Sequence, residues 1–325
     1  MPIINRRTFG AGSLATAVAL GLGGPARAAS VKSLEIIAPA SPGGGWDQTA
    51  RAIQDVLKAA NIVSRVQVVN ISGAGGTIGL AQFVSSKKGR GDTLMVTGLI
   101  MEGAILTNKS PVTLDNTTPI ARLIGEYDLI AVPSESPIKT MGDLANKLRA
   151  DPGSVSWGGG SAGGMDHMLV GLIAKAVGVD PKKINYIAHS GGGEAMGAIL
   201  GGHVTAGVNG FSELIAQVKA GKLRPLAISA EKRMAGIDIP TLKESGIDVS
   251  LTNWRGIVAP PGISDAERKA LADAVAAVVK SEQWKQVLAQ REWLDMYQPT
   301  EEFVAFLRED QAKVTGVLKE IGLIQ

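Results

Sequence analysis

The chain has 325 residues, 45% of them hydrophobic, with 33 Lys and Arg against 30 Asp and Glu and no cysteine. That length supports two hydrophobic cores, and the lack of cysteine excludes disulfides, thiolate metal sites, catalytic thiols and a lipid-modified N-terminal Cys. The slight basicity belongs to the first 28 residues, which hold three arginines and no acids, so 30 charges of each sign remain after them and nothing points to nucleic acid.

The chain begins 1-MPIINRRTFGAGSLATAVALGLGGPARAAS-30. A basic start, an apolar run of small residues and the A-x-A pattern at Ala26-Arg27-Ala28 read as an export signal cut after Ala28. Arg6-Arg7 followed by Thr-Phe suits a twin-arginine signal, with the general secretory route as the alternative. The apolar run from Phe9 to Gly24 is shorter than the roughly 20 residues needed to cross a bilayer, and no later segment is long enough. The expectation is a periplasmic protein without direct membrane insertion.

Past the signal, β-rich runs alternate with helical patterns. Strands are predicted at 34–40, 66–70, 93–99, 154–157, 183–188, 204–210 and 223–229, and helices at 47–60, 77–86, 165–177, 194–200 and 212–220. Alternation of this kind implies an α/β fold with mixed or mostly parallel sheets covered by helices. Two longer extended stretches, 118–133 and 249–261, read as crossings between lobes, followed by helical stretches at 264–293 and 300–323, the first opened by a Ser264/Glu267 capping box. Two crossings give a discontinuous lobe, 29–130 with 252–325, and an inserted lobe, 131–251.

Glycine-rich turns recur where strands pass into helices: 41-SPGGGWDQTARAI-53, 73-GAGGTIG-79, 158-GGGSAGGMDH-167 and 189-HSGGGEAMG-197. In parallel α/β sheets such turns cluster at the edge where ligands bind. The N–H groups of the next helix lack intrahelical partners there and carry its positive dipole end, which suits a carboxylate or phosphate. Any one of these loops reads first as a tight turn; their repetition shifts the reading of the set to anion binding. The loop residues themselves contain no Lys or Arg, Arg51 lying one turn into its helix, so charge would be met by amides and hydroxyls. Asp47, Asp166 and Glu194 sit in first turns and read as caps.

Enzymatic readings are weaker. Gly158, Gly160 and Gly163 satisfy G-x-G-x-x-G, yet the next strand ends in His189 and not in the acid a dinucleotide site requires. His189-Ser190 lacks the nucleophile elbow of α/β hydrolases. The histidines at 167, 189 and 203 are too scattered for a metal site. A periplasmic hydrolase acting on a small carboxylate ester remains the second reading; no cofactor or metal is expected.

The ordered blocks 39-PASPGGGWDQTAR-51, 70-NISGAGGTIG-79, 157-WGGGSAGGMDH-167, 189-HSGGGEAMGAILGGHV-204, 219-KAGKLRPLAIS-229, 239-IPTLKESGI-247 and 254-WRGIVAPPGIS-264 resemble the solute receptors of tripartite tricarboxylate transporters, the TctC or Bug-type family. The resemblance implies a type II periplasmic-binding-protein fold, a carboxylate held between two lobes, hinge closure, delivery to membrane transporter subunits, and a monomer. It carries over Gly43, Gly44, Gly45, Trp46 and Asp47 from the first loop, Gly75 and Gly76 from the second, and Ser161, Ala162, Gly163, His189, Ser190 and Gly191 from the inserted lobe. Asn209 is a further polar candidate, with turn formation its ordinary role. The G-G-G-W-D form is similar to the tricarboxylate-receptor branch and tilts the expected ligand toward citrate-like tri- or dicarboxylates. Arg255, beside the second crossing, is expected to pair with an acid across the hinge, with a ligand carboxylate as its other potential partner.

Overall fold

The computed structural model describes residues 31–325, and the expected export signal lies outside them. From its start the chain lays down β1 (Ser33–Ala38), α1 (Gly45–Ala59), β2 (Arg65–Asn70), α2 (Thr77–Ser86), β3 (Thr93–Gly98), α3 (Leu99–Thr107) and β4 (Thr118–Glu126). The second group is β5 (Asp128–Pro133), α4 (Met141–Ala150), β6 (Ser156–Gly159), α5 (Met165–Ala176), β7 (Asn185–Ala188), α6 (Gly192–Leu200), β8 (Ala206–Gly210), α7 (Phe211–Lys219) and β9 (Leu223–Ile228). Then come β10 (Asn253–Ala259), α8 (Asp265–Lys280), α9 (Glu282–Arg291), β11 (Leu294–Gln298) and α10 (Thr300–Glu320).

Two sheets result. The first has the order β11-β4-β10-β3-β1-β2 and the second β7-β6-β8-β5-β9. Both sheets are mixed, within the expected mixed or mostly parallel arrangement: β1 runs parallel to β2 and β3, and β6 to β7 and β8, while β4, β5, β10 and β11 pair antiparallel with their neighbours. The reversal follows from the crossings. β4 ends in one sheet and β5 begins in the other with only Tyr127 between them, so the same line of backbone serves both sheets. The passage therefore falls at Tyr127 and not at 130, because Asp128, Leu129 and Ile130 already pair with β8. The return strand lies beside it, where Leu251 N–H donates to Ser229 O at 3.0 Å and Ser229 Oγ donates to Leu251 O at 2.8 Å.

Both cores follow from the apolar runs. β3 is buried along its whole length, and α1 buries Trp46, Ala50, Ile53, Val56 and Leu57 at helical spacing on the first sheet. The second core gathers Trp157, Leu169, Ile173 and Val208. Each such aliphatic side chain contributes about 1.5–3 kcal/mol on burial. The helical stretch 264–293 divides into α8 and α9 at Ser281, whose hydroxyl caps the second helix by accepting from Trp284 N–H at 3.1 Å. Sequence reading missed α3, α4 and β11; α3 is apolar nearly all round and carries no helical periodicity.

Candidate functional site

Six strand-to-helix junctions meet where the lobes face each other. A cavity of about 30 Å³ lies between them, lined by Pro39, Ala40, Gly45, Trp46, Gly75, Gly76, Ile100, Gly160, Asp166, Ser190, Gly191, Gly192, Asn209, Gly210, Glu213, Asn253 and Arg255. That space holds on the order of two waters. The walls are backbone pressed on backbone: a Cβ on Gly44 of the first lobe would lie 3.3 Å from Gly192 N of the second. Gly76, at φ +89°, takes a backbone conformation favouring glycine and leaves room for the Trp46 ring, 2.7 Å from where its Cβ would be.

The candidate residues divide between lining and support. Gly45, Trp46, Gly75, Gly76, Ser190, Gly191 and Asn209 line the cavity. Ala162 and His189 line an adjoining hollow of about 290 Å³, which Gly75 and Ser190 share and Asn108 and Glu194 complete. Gly43, Gly44, Asp47, Ser161 and Gly163 line neither. Asp47 turns back into its own loop, accepting from Gly43 N–H at 2.9 Å, Arg51 Nε at 3.0 Å and Asn70 Nδ2 at 3.0 Å. Burial works to raise its pKa, but these bonds outweigh burial and hold the carboxylate below its usual range.

His167 supports the third loop. Its Nδ1 accepts from Gly163 N–H at 3.1 Å, and its ring stacks on Tyr186 with centroids 4.1 Å apart. Tyr186 in turn donates its hydroxyl to Ser161 O at 3.0 Å. Burial pushes the imidazole down to about 4, so it stays neutral and acts as an acceptor. In the fourth loop, His189 N–H donates to Gly159 O at 2.9 Å and Ser190 N–H to Glu194 Oε2 at 3.1 Å. Asn209 fixes the neighbouring helix start, donating from Nδ2 to Gly192 O at 2.8 Å.

One wall of the cavity carries a feature that sequence reading caught only in Arg255. The Arg255 side chain is 1% exposed and pairs with Glu126 of the adjacent strand, with Glu213 of the other lobe 3.7 Å away. The expected pairing with an acid across the hinge is thus shared with an acid on its own sheet. Asp128 and Asp166 are both buried beside this group, and Asp166 raises the cost of ionising Asp128 and Glu213. Burial pushes Asp166 up to about 6, Glu213 up to about 8 and Asp128 well above the carboxylate range. Ile100, Gly160, Gly192, Gly210, Glu213 and Asn253 were not among the predicted lining residues. Gly210 and Glu213 carried a signal, since 209-NGFSE-213 repeats the strand–glycine–helix junction with a single glycine. Trp157 and Trp254, in contrast, belong to the cores; Trp254 donates to Asp310 at 2.6 Å and packs edge-on against Phe303 and Phe306. Among the described residues no helix is long and apolar enough to cross a membrane.

The comparisons with known proteins agree with this architecture. A model of the tripartite tricarboxylate transporter family receptor matches residues 49–323. A protein from the gbd 5' region of Cupriavidus necator is 31% identical over 325 residues, covering 96% of each chain. Among solved structures, the periplasmic binding protein BugD superposes with a TM-score of 0.82 at 21% identity, covering 90% of this chain and 98% of its own. MatC of Rhodopseudomonas palustris, solved with bound malate, gives a TM-score of 0.79 at 22% identity, covering 89% and 99%.

Proposed function

We infer, since this chain belongs to the tripartite tricarboxylate transporter receptor family, that it captures a small carboxylate between its lobes in the periplasm and delivers it to the subunits of a membrane transporter. The family is one of solute-binding receptors and not of enzymes, so the hydrolase reading falls away. A citrate-like tri- or dicarboxylate is the favoured ligand. Export through a signal cut after Ala28, by the twin-arginine route, and a monomeric receptor complete the reading.

One observation carries it: helix starts and glycine turns from both lobes converge on one cavity, with Trp46, Gly76, Ser190, Gly191 and Asn209 on its wall. Unpaired N–H groups at helix starts favour an anion. Ala162 and His189 border the entrance, while Gly43, Gly44, Asp47, Ser161 and Gly163 hold the loops in shape. A dicarboxylate is larger than about 30 Å³ of free space, so it enters when the lobes part at Tyr127 and the neighbouring return strand. Closure on the ligand then follows from its greater affinity for the closed form.

The test is thermal unfolding of refolded, ligand-stripped protein against citrate, malate, adipate, amino acids, aromatic acids and NAD. A ligand at 100 times its Kd adds about 2.7 kcal/mol, a rise of several degrees. Stabilisation by one carboxylate class supports the receptor reading and identifies its substrates. A response to NAD alone overturns it.

A further inference from the structure

The cavity wall that packs against Gly45 and Gly192 is built from the α7 start and the second crossing, and it carries polar atoms without partners. Glu213 Oε2, Asn253 Oδ1, and Nε and Nη1 of Arg255 are buried and make no hydrogen bond within the protein. All three side chains line the cavity, and each is more than nine-tenths buried. Such groups are costly to leave unpaired and mark where a ligand completes the bonding.

The charges around Glu213 decide in which form it can do so. It is faced by Glu126 from β4, Asp128 from β5, Asp166 from α5 and Arg255 from β10, while Arg291 at the end of α9 faces Glu126 and Arg255. Four carboxylates against two guanidiniums, shielded from water, cannot all stay ionised, and an anionic ligand beside Glu213 adds negative charge. An ionised Glu213 would repel that ligand; a protonated one offers it an O–H donor.

We propose that Glu213 meets the bound carboxylate as a neutral acid, its O–H donating to a ligand oxygen, so that the cleft takes up a carboxylate and a proton together. The proposal deepens the receptor reading and rests on it. Burial, which pushes Glu213 up to about 8, agrees with the geometry. The proton is then a second ligand of the site, and Glu213 a residue that determines specificity for anions over cations.

Calorimetric titration with malate, citrate and adipate from pH 7.5 to 9.5, where these probes remain fully ionised, reads the linkage. Kd should rise by up to about tenfold per pH unit, and heats in phosphate and Tris at pH 8 should differ by the uptake of about half a proton or more per ligand. The Glu213→Gln protein should bind with a pH-independent Kd, because an amide donates at every pH. A constant Kd in the unaltered protein, no proton uptake, or an undiminished pH dependence in Glu213→Gln would overturn the proposal. The buffer comparison needs no variant and decides the matter if Glu213→Gln fails to fold. Should none of the probes bind, the receptor reading fails separately, and urea unfolding of the ligand-free protein still tests the proton. A carboxyl whose folded pKa is raised loses stability as pH rises from its unfolded value to its folded one, so the slope between pH 5.5 and 8 should be shallower by one proton in Glu213→Gln. Equal slopes there would overturn the neutral-acid assignment.

Discussion

Replacing Arg255 by Met tests whether the carboxylates at the lobe junction depend on one guanidinium. Arg255 and Glu126 are 1% and 0% exposed, and Glu213 is within 3.7 Å, so methionine would fill most of the space while leaving the acids without their nearest cation. Breaking a buried pair by removing one partner costs about 3–5 kcal/mol, because the remaining charge is uncompensated. For a chain of about 300 residues the unfolding entropy is about 0.6 kcal/mol per degree, so Tm should fall by about 5–8 °C at pH 7. Melting followed by circular dichroism at pH 7 reads the effect. A fall of only a degree or two would refute the view that Arg255 compensates these acids.

Gly191→Glu places bulk and negative charge at the cavity, where even a Cβ would lie 2.9 Å from Ser41 Oγ of the facing lobe, in a backbone conformation at φ +152°. The stabilisation by carboxylates should vanish while the far-ultraviolet spectrum is retained; normal ligand binding would count against the site. Asp47→Ala removes the acceptor of bonds from Gly43, Arg51 and Asn70. It should cost about 1–3 kcal/mol in urea unfolding and weaken ligand affinity by loosening the first loop. His167 has a folded pKa depressed to about 4, so the unfolded chain binds its proton first and stability is lost as pH falls from 6.5 toward 4. His167→Asn should flatten that part of the stability profile, and an unchanged slope would show that another group causes it.

Much of this protein was legible in its sequence, for local reasons. Short apolar runs alternating with helical periodicity gave the strands and helices, and five of the predicted helices fall on α1, α2, α5, α6 and α7. The glycine turns marked one sheet edge because only the end of a strand combines a tight turn with an unpaired helix start. Periodicity could not find α3, whose surface is buried nearly all round, or the short strand β11. Nor could it divide lining from support within a loop: Trp46 and Asp47 are neighbours in sequence, yet the first faces the cavity and the second closes its own turn. The buried carboxylates lay furthest out of reach. Glu126, Asp128, Asp166 and Glu213 come from β4, β5, α5 and α7, and each alone reads as an ordinary surface charge or helix cap; only their partner Arg255, from β10, carried a signal of pairing across the hinge. Local sequence sets which segments become strands, helices and turns; charges gathered from two lobes owe their environment to long-range packing, and only the tertiary structure decides what protonation that environment permits.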